Sequence, residues 1–379
     1  MSLATAAQAE EKASALLTDL GTTTISGYID TSAIWAPGTG NGYIPGRVFD
    51  GGEGNFGGNK LDGFNLNVVK LSIARPIGEE SWPAGYGVDL LFGPDAYLYN
   101  TSANALETPG DFSIQQAYVA LRAPVGRGVD FKLGTLNTII GYEVFDSGSN
   151  PNYSRSFGLL LEPTQHTGLI ASYAVSDSVA LSGGVANTHL AYINLRSPRA
   201  ESAKTYLGTV TLTAPRERLG FLGGATLTLG AVNGFSGNAG KNTTSLYAGA
   251  ALPAPITGLT FGAAFDYRAD GANSLAGADN WAYAAAIYAS MQTTAKLKFN
   301  LRADYTSGSD GTFYDAGKAG VSDQGNELGA LTLTADYSLW ANVVTRLETR
   351  WDHSFSSDAY DNGSEADVVT LAANVIYKF

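Results

Sequence analysis

The chain alternates apolar and polar side chains over many stretches, and its closing segment shows the pattern most clearly. From Val369 to Phe379 every second residue is apolar, and the residues between them are mostly small or polar. Because successive side chains of a β-strand point to opposite faces, this segment predicts a strand with one continuous apolar face. The stretches 259–268, 296–305 and 343–352 repeat the pattern with charged side chains on the second face. Such strands are typical of a wall between lipid and water.

Alternation and turn residues together predict about sixteen strands along the chain. The predicted strands cover residues 22–35, 64–75, 84–93, 112–122, 129–137, 166–175, 178–187, 203–213, 222–232, 243–252, 257–268, 280–290, 294–306, 327–338, 341–353 and 366–379. Short connections follow the even-numbered strands, whereas long connections rich in Gly, Asn, Asp and Ser follow the odd-numbered ones. An up-and-down barrel in an outer membrane has short turns on its periplasmic rim and long loops outside. The predicted fold class is therefore all-β, a transmembrane antiparallel up-and-down β-barrel with a short N-terminal helix.

Composition favours this fold over a soluble β-sandwich, which could also produce one such strand. Charged residues make up 15% of the chain, below the roughly 25% of a typical soluble domain. The longest stretch without a polar residue, 281–289, is far shorter than the roughly twenty residues with which a helix spans a bilayer. Closure of the barrel leaves no strand edge unpaired in lipid. We therefore expect one large domain over residues 22–379.

Residues 1–21 form a separate N-terminal leader in this interpretation. Residues 4–20 have an excess of Ala and Glu, with three leucines near one face of a predicted helix and Gly21 as its C-cap. Two interpretations stay open: a periplasmic or partly disordered leader, or a helix that enters the lumen or packs on a partner. The Ala-rich ATAAQA is similar to the neighbourhood of a cleavage site, although no signal peptide is present in the sequence as it stands.

Three segments carry a resemblance to a known family. They are GYIDTSAIW at 27–35, the closing YKF at 377–379 and the run GTLNTIIGYEVFDSGSNPNYSRSFGLLLEPTQHTGLIASY at 134–173. Over residues 22–379 the chain resembles the OmpL-like β-barrel porins of Gram-negative bacteria. The resemblance implies a diffusion channel in the bacterial outer membrane. Tyr377 and Phe379 are implied to be the signal that the barrel assembly machinery recognises, since nearly all outer-membrane barrels share a C-terminal aromatic residue.

Charged side chains on the strands are expected to face the lumen, because Arg or Lys at the lipid midplane costs roughly 2–4 kcal/mol. The predicted lumen-facing basic residues are Lys70, Arg122, Lys132, Lys296, Lys298, Arg302, Arg346 and Arg350. The predicted lumen-facing acids are Asp304, Asp336, Glu348 and Asp352. Since the last strand pairs with the first at closure, the basic residues form one continuous arc of wall in which acids are interleaved. Charges that simply face a wide water channel explain this arc equally well.

The long connection 138–165 after the fifth strand is predicted to fold back into the lumen and narrow it, as the resemblance to porins implies. The residues predicted to line this constriction are Glu143, Asp146, Tyr153 and Arg155. Acids on the loop that face the basic arc would set a field across the narrowest point and orient a polar or charged solute. Alternatively, Glu143 and Arg155 pair with each other and pin the loop to the wall. The two interpretations are compatible.

The sequence holds no recognisable catalytic motif. Its three histidines are His166, His189 and His353, and neither HExxH, GxSxG nor a phosphate-binding loop is found in a suitable setting. We predict a hydrogen-bonding role for His166 and a protein that is not an enzyme. The net charge of −12 argues against a nucleic-acid partner. With no Cys, neither disulfides nor thiolate metal sites are available.

The acidic segments 307–317 and 356–367 are weak candidates for ion binding. Their carboxylates could bind Ca²⁺, but neither segment has the spacing of a calcium loop. Solvated acidic loops are therefore the favoured interpretation, and no cofactor is predicted. Outer-membrane lipid is an expected partner, and so is lipopolysaccharide, which divalent ions could bridge to these loops.

The sequence thus predicts an outer-membrane porin through which small hydrophilic solutes or ions diffuse passively. The alternative is a plugged structural or receptor-like barrel that anchors a partner. The overall acid excess favours weak cation selectivity, whereas the basic arc favours anions at the constriction; we expect cations. A homotrimer is expected by analogy with other barrels of this size.

Overall fold

The computed structural model describes the barrel and parts of its long connections. The described residues are 23–39, 44–51, 60, 62–79, 82–99, 111–189, 191–197, 200–235, 242–270, 280–309, 312–313, 326–356, 358–361 and 363–379. The predicted leader, residues 1–21, lies outside them, so both interpretations of that segment stay predictions.

Strands dominate the described residues. They are β1 Thr24–Trp35, β2 Gly63–Arg75, β3 Ala84–Phe92, β4 Phe112–Ala123, β5 Val129–Asn137, β6 Gln165–Ala174, β7 Val179–Ala186, β8 Thr205–Thr213, β9 Thr226–Phe235, β10 Asn242–Pro253, β11 Leu259–Asp270, β12 Asn280–Gln292, β13 Leu297–Gly308, β14 Asn326–Trp340, β15 Val343–Ser354 and β16 Asp367–Lys378. The helical elements are α1 Phe157–Leu161 and 3-10 turns at Pro94–Leu98, Ser147–Ser149 and Gly220–Leu222. Within the described chain, none of these helices has the length and apolar character needed to cross a membrane.

The strands form one closed antiparallel barrel. Each strand pairs with its neighbours in sequence, and β16 returns to pair with β1. At this seam Tyr28 lies opposite Lys378, and backbone hydrogen bonds of 3.0 Å join Gly27 and Phe379 in both directions. The predicted all-β up-and-down barrel of sixteen strands is confirmed.

Two strands begin three or four residues later than the alternation predicted. β9 begins at Thr226 because residues 220–222 form a 3-10 turn instead of continuing the strand. β13 begins at Leu297 because the Thr294 hydroxyl accepts hydrogen bonds from the backbone N–H groups of Lys296 and Leu297, which makes a tight turn. Lys296 therefore lies in this turn, and its predicted position on the lumen face of a strand is wrong.

Side-chain exposure separates the two faces of the wall. On β15, Leu347 is 67% exposed while its neighbour Glu348 is 5% exposed. On β16, Tyr377 is 47% exposed and Ile376 is fully buried. The outward face is apolar and the inward face carries the polar side chains, as a barrel in lipid requires. Ile376, which interrupts the alternation of the closing segment, packs inside the barrel beside Phe145.

The connection between β5 and β6, residues 138–164, is called the inner loop below because it packs inside the barrel. It shares an apolar cluster with the first two long connections and with lumen-facing wall residues. The members are Tyr28, Val48, Phe49, Val68, Leu91, Ala96, Tyr99, Phe145, Leu159 and Ile376. Phe157 and Leu161 of α1 enter a second cluster that includes Ala284 of β12 and Leu328 of β14. The apolar core of this protein therefore lies within the bore.

Candidate functional site

Carboxylates of the wall hold the inner loop through its backbone. The N–H groups of Tyr153 and Ser154 donate to Glu348 at 2.6 and 3.0 Å. The N–H of Phe157 donates to Asp304 Oδ2 at 3.0 Å. Hydrogen bonds from buried N–H groups to a carboxylate are charge-assisted and strong. Both acids lie on the lumen face and bind the loop there.

Three of the predicted basic residues hold the same loop through its carbonyl oxygens. Arg302, Arg346 and Arg350 donate to loop carbonyls at 2.8, 2.7 and 2.6 Å. Wall acids neutralise them in the ion pairs Arg302–Asp304 at 3.2 Å, Arg346–Asp336 at 2.8 Å and Arg350–Asp352 at 2.8 Å. Their exposures are 0%, 3% and 1%. This part of the arc is therefore neutralised and covered by the loop.

Glu143 joins the inner loop to two strands. Its carboxylate accepts hydrogen bonds from Arg302 Nη1 at 3.1 Å and from the Tyr288 hydroxyl at 3.0 Å. It also accepts the backbone N–H of Ser156 at 2.9 Å, which links the two arms of the loop. With 4% exposure, Glu143 is a buried structural acid and does not face water.

Arg155 links the two arms of the loop at a second point. Its guanidinium donates to the carbonyl oxygens of Val144, Phe145 and Tyr153 at 3.2, 2.6 and 2.5 Å. Carbonyl oxygens in three directions use the planar fork of donors that only Arg provides. The hypothesis that Glu143 and Arg155 pair with each other is wrong, because each binds other partners.

Asp146 is the most accessible of the four predicted constriction residues. Its carboxylate accepts from the Tyr28 hydroxyl at 3.0 Å and from Lys70 Nζ at 2.9 Å. Lys70 also lies 3.4 Å from Asp89. The side chain of Asp146 is 31% exposed, so its charge keeps contact with solvent.

Tyr153 is buried between the loop and β1. Its hydroxyl donates to the Ser32 hydroxyl at 3.0 Å. Burial raises the pKa of Tyr153 well above its ordinary value, because a phenolate would lose its hydration there. The residue stays a neutral donor and fixes the loop to the wall.

The other basic residues of the predicted arc keep contact with solvent. Lys132 is exposed, and its Nζ lies 4.6 Å from the centre of the Tyr118 ring. Arg122 makes a two-pronged pair with Asp130 at 2.5 and 2.8 Å. Lys298 is half-buried at the start of β13. These accessible basic charges of the arc therefore lie towards the rim of short turns.

The lumen face of β6 to β9 is uncharged and is called the neutral wall below. Its side chains include Ser172 and Ser182, whose hydroxyls are 2.8 Å apart, and Thr211 and Thr228, whose hydroxyls are 3.0 Å apart. All four are half-buried. Alternate Ser, Thr and Gly positions carry this feature in the sequence, but the prediction did not use them.

Buried ion pairs also tie down the first two long connections. Arg47 is 1% exposed and pairs with Asp50 at 3.0 Å and with Asp352 at 2.5 Å. Lys60 pairs with Asp95. Burial raises the pKa of Asp95 to about 6, and Lys60 opposes the shift. Nothing in the sequence pattern predicted the pairs Arg47–Asp352 and Lys60–Asp95, because the two residues of each pair lie far apart in the chain.

The histidines make hydrogen bonds. His166 is buried, with its ring nitrogens 3.3 Å from the Thr188 carbonyl and 3.2 Å from the Thr138 hydroxyl. His353 lies at the rim of the barrel, 2.9 Å from Asp367. The predicted hydrogen-bonding role of His166 is confirmed.

The acidic segments are only partly described. Most of 307–317 lies outside the described residues, and in 356–367 the Ser364 hydroxyl donates to the Asp361 carbonyl at 2.8 Å. Among described residues, no three His, Asp or Glu side chains come together as a metal site. Whether these segments bind Ca²⁺ stays a prediction.

The family of this chain follows from comparison with known proteins. The family model described as "Putative beta-barrel porin-2, OmpL-like" matches residues 22–379. The chain belongs to this family. It is therefore a β-barrel porin of the outer membrane, as the three sequence segments implied. No curated protein sequence matches the chain.

Solved porins share the fold of this OmpL-like porin at low sequence identity. The outer membrane channel DcaP of Acinetobacter baumannii matches with a TM-score of 0.59 and 12% identity, over 94% of this chain and 97% of that one. An anion-selective porin from Comamonas acidovorans gives 0.59 and 11%, over 94% and 99%. OmpT of Vibrio cholerae in its trimer form gives 0.59 and 11%, over 94% and 99%. These similarities show the barrel fold.

Proposed function

We propose that this porin lets small hydrophilic solutes and ions diffuse passively across the outer membrane, with the inner loop as its constriction. One observation carries this proposal: Glu348 and Arg302 of the lumen wall make buried hydrogen bonds to the inner loop and fix it inside the barrel. A loop fixed inside a barrel narrows the bore at one level. The neutral wall and the exposed charge of Asp146 provide the polar surface that a hydrated solute needs.

We propose a weak preference for cations. Asp89 and Asp146 share the single ammonium of Lys70, so this accessible group carries a net negative charge. The buried arginines are neutralised by acids, which removes the field that favoured anions. Fixed charges that face a water-filled passage set its ion preference.

Planar bilayer recordings test both proposals. Stepwise conductance in KCl supports the porin, and its absence at every voltage would exclude an open channel. In a KCl gradient we expect a reversal potential of cation sign. Lys132→Gln removes an exposed positive charge and is expected to increase that potential; Arg216→Gln, in the short turn after β8, is the control. An anion sign in the native protein would contradict the cation preference.

A plugged barrel is the second candidate function. Phe49 and Tyr99 of the outer connections lie edge-on to Phe145 of the inner loop, with ring centres 5.4 and 5.2 Å apart. Such packing would suit a barrel that anchors a partner. Bilayer recordings with and without residues 1–21 address the plug formed by the leader, since unchanged conductance after deletion excludes it.

We also propose a homotrimer and a role for the closing residues in assembly. The OmpT structure in trimer form has the same fold, and Phe379 is 53% exposed on the outer face of the wall. Mass determination in detergent tests the trimer. Removal of Phe379 tests the assembly signal, because the truncated chain should fold in detergent but fail to accumulate in the outer membrane.

A further inference from the structure

A cavity of about 220 Å³ lies between the second long connection, the inner loop and β11. Tyr99, Leu159 and Leu160 give it an apolar lining, while Glu162 and Arg268 contribute one acidic and one basic side chain. The proposed constriction, the porin function and the barrel wall do not require this combination. A cavity with a few convergent polar groups on an apolar lining is typical of a small-molecule site.

The acidic side of the cavity is Glu162, whose carboxyl belongs to a buried carboxyl pair. Glu162 of the inner loop is 8% exposed and is in hydrogen-bonding contact with Asp266 of β11, which is 4% exposed. Asp266 Oδ1 has no hydrogen-bond partner among the described residues. Gly141 and Gly158 of the loop make room for the pair, since a Cβ at either position would collide with one of the two carboxyls.

Two buried carboxyls in contact cannot both ionise without a positive partner. Burial, together with Asp266, raises the pKa of Glu162 well above its ordinary value. A shared proton satisfies the pair in the empty cavity. An ammonium group of a ligand would neutralise the carboxyl pair equally well, and the shared proton would then be released.

The basic side of the cavity offers one free donor. Arg268 binds Asp270 through Nε at 3.0 Å and Nη2 at 2.9 Å, which leaves Nη1 without an acceptor in the described part of the chain. His189 also lines the cavity. Burial, together with Arg268, lowers the pKa of His189 well below its ordinary value, so this ring is neutral and does not repel an ammonium group.

The spacing of the two sides fits one class of ligand. Asp266, the partner of Glu162, and Arg268 are two residues apart on the lumen face of β11, so their backbone positions lie roughly 7 Å apart. The ammonium and carboxylate of an α-amino acid, each with a hydrogen bond of about 3 Å, span a similar length. Leu159 and Leu160 offer an apolar surface beside these groups.

We propose that this cavity binds a zwitterionic α-amino acid with an apolar side chain. Its ammonium group binds Glu162, its carboxylate binds Arg268 Nη1, and its side chain lies against Leu159 and Leu160. The site rests on the proposed porin function, as a solute site beside the constriction.

Isothermal titration calorimetry on the full-length protein in detergent tests this site. The probes are leucine, leucinamide, which lacks the carboxylate, and N-acetylleucine, which lacks the ammonium group. We expect leucine to bind at least about tenfold more tightly than either analogue, because each analogue forfeits one charged hydrogen bond. Absence of binding by leucine, or equal binding of all three probes, would overturn the proposal.

Variants assign the two ends of the ligand. Glu162→Gln should weaken leucine and leucinamide and leave N-acetylleucine unchanged, whereas Arg268→Gln should weaken leucine and N-acetylleucine only. Glu162→Asp, which keeps the negative charge, replaces Glu162→Gln in this test if that variant fails to fold. Arg127→Gln, which removes an Arg–Asp pair on the exposed rim, is the control for loss of an arginine. Equal losses for every probe in one variant would also overturn the proposal.

Conductance in KCl without leucine separates this proposal from the porin function. A conducting barrel that does not bind leucine overturns only the amino-acid site. A barrel that binds leucine but never conducts overturns only the porin.

Discussion

At the scale of single residues, buried charges hold the inner loop in place. Arg302 lies 3.1 Å from Glu143 and 3.2 Å from Asp304, and all three side chains are almost fully buried. A buried ion pair contributes little compared with apolar packing, but breaking it leaves an uncompensated charge. Replacing such a residue therefore lowers stability by more than its ion pair contributes.

Arg302→Met should lower the free energy of unfolding by roughly 3–5 kcal/mol, because it leaves two buried carboxylates without their cation. Urea-dependent unfolding from lipid vesicles measures the loss. Arg127→Met is the control, since its pair with Asp177 is 48% and 92% exposed and should contribute at most about 1 kcal/mol. Similar losses in the two variants would contradict the buried network.

At the scale of elements, the inner loop is a folded unit whose two arms are joined by its own side chains. Gly141 has a φ of +120°, a conformation that other residues rarely adopt, and faces the Glu162 carboxyl. Glu143 and Arg155 join the arms further along. The shape of the loop therefore depends on one glycine and two charged residues.

Gly141→Ala should destabilise the barrel by more than the roughly 1–3 kcal/mol of backbone strain alone, because the new methyl group also collides with Glu162. Thermal unfolding followed by circular dichroism measures the change. Gly220→Ala is the matched control, since Gly220 has a φ of +55° and open space around its Cβ position. If both variants melt at the same temperature, the close contact with Glu162 is refuted.

The raised pKa of Glu162 predicts how stability changes with pH. A carboxyl whose pKa is higher in the folded state favours folding while it is protonated, and this contribution is lost as pH rises from its unfolded pKa through its folded pKa. Without a bound ligand, the native barrel should lose stability as the pH rises above the unfolded pKa of a glutamate, about 4.3, and Glu162→Gln should lose less. Urea unfolding at several pH values gives both curves, and parallel curves would count against the buried acid.

Elements were easier to predict than the contacts between them. The closing strand and β15 were readable because lipid on one side and water on the other impose a strict period of two. The turn at Thr294–Leu297 was predicted too early in the chain, since a hydroxyl cap competes locally with strand pairing. The partners of Glu143 and Arg155 depend on which connection folds inward, and no local pattern encodes that choice.

At the scale of the whole molecule, the barrel has its apolar surface outside and its packed core inside. Val210 and Thr211 are neighbours on β8, but Val210 is 39% exposed on the outer face and Thr211 belongs to the neutral wall. The environment of each side chain therefore follows from its parity in the strand.

Val210→Arg should lower stability by up to roughly 2–4 kcal/mol, because it places a charge in lipid. Thr211→Arg should change stability little and shift the reversal potential towards anions, because it places the same charge in the proposed passage. Unfolding from lipid vesicles and bilayer recordings give the two readouts. Equal stability of the variants would contradict the assignment of faces, and an unchanged potential for Thr211→Arg would place the passage elsewhere.

The seam between β1 and β16 can close only if the barrel has assembled with the correct strand register. Gly27 meets Phe379 only if every strand between them has paired in its correct register. A slip of one residue anywhere turns a strand inside out and displaces all later strands relative to the first. Register errors of the separate strand pairs therefore add up around the barrel and become visible at the β1–β16 seam. There, a misaligned chain leaves two unpaired strand edges in lipid.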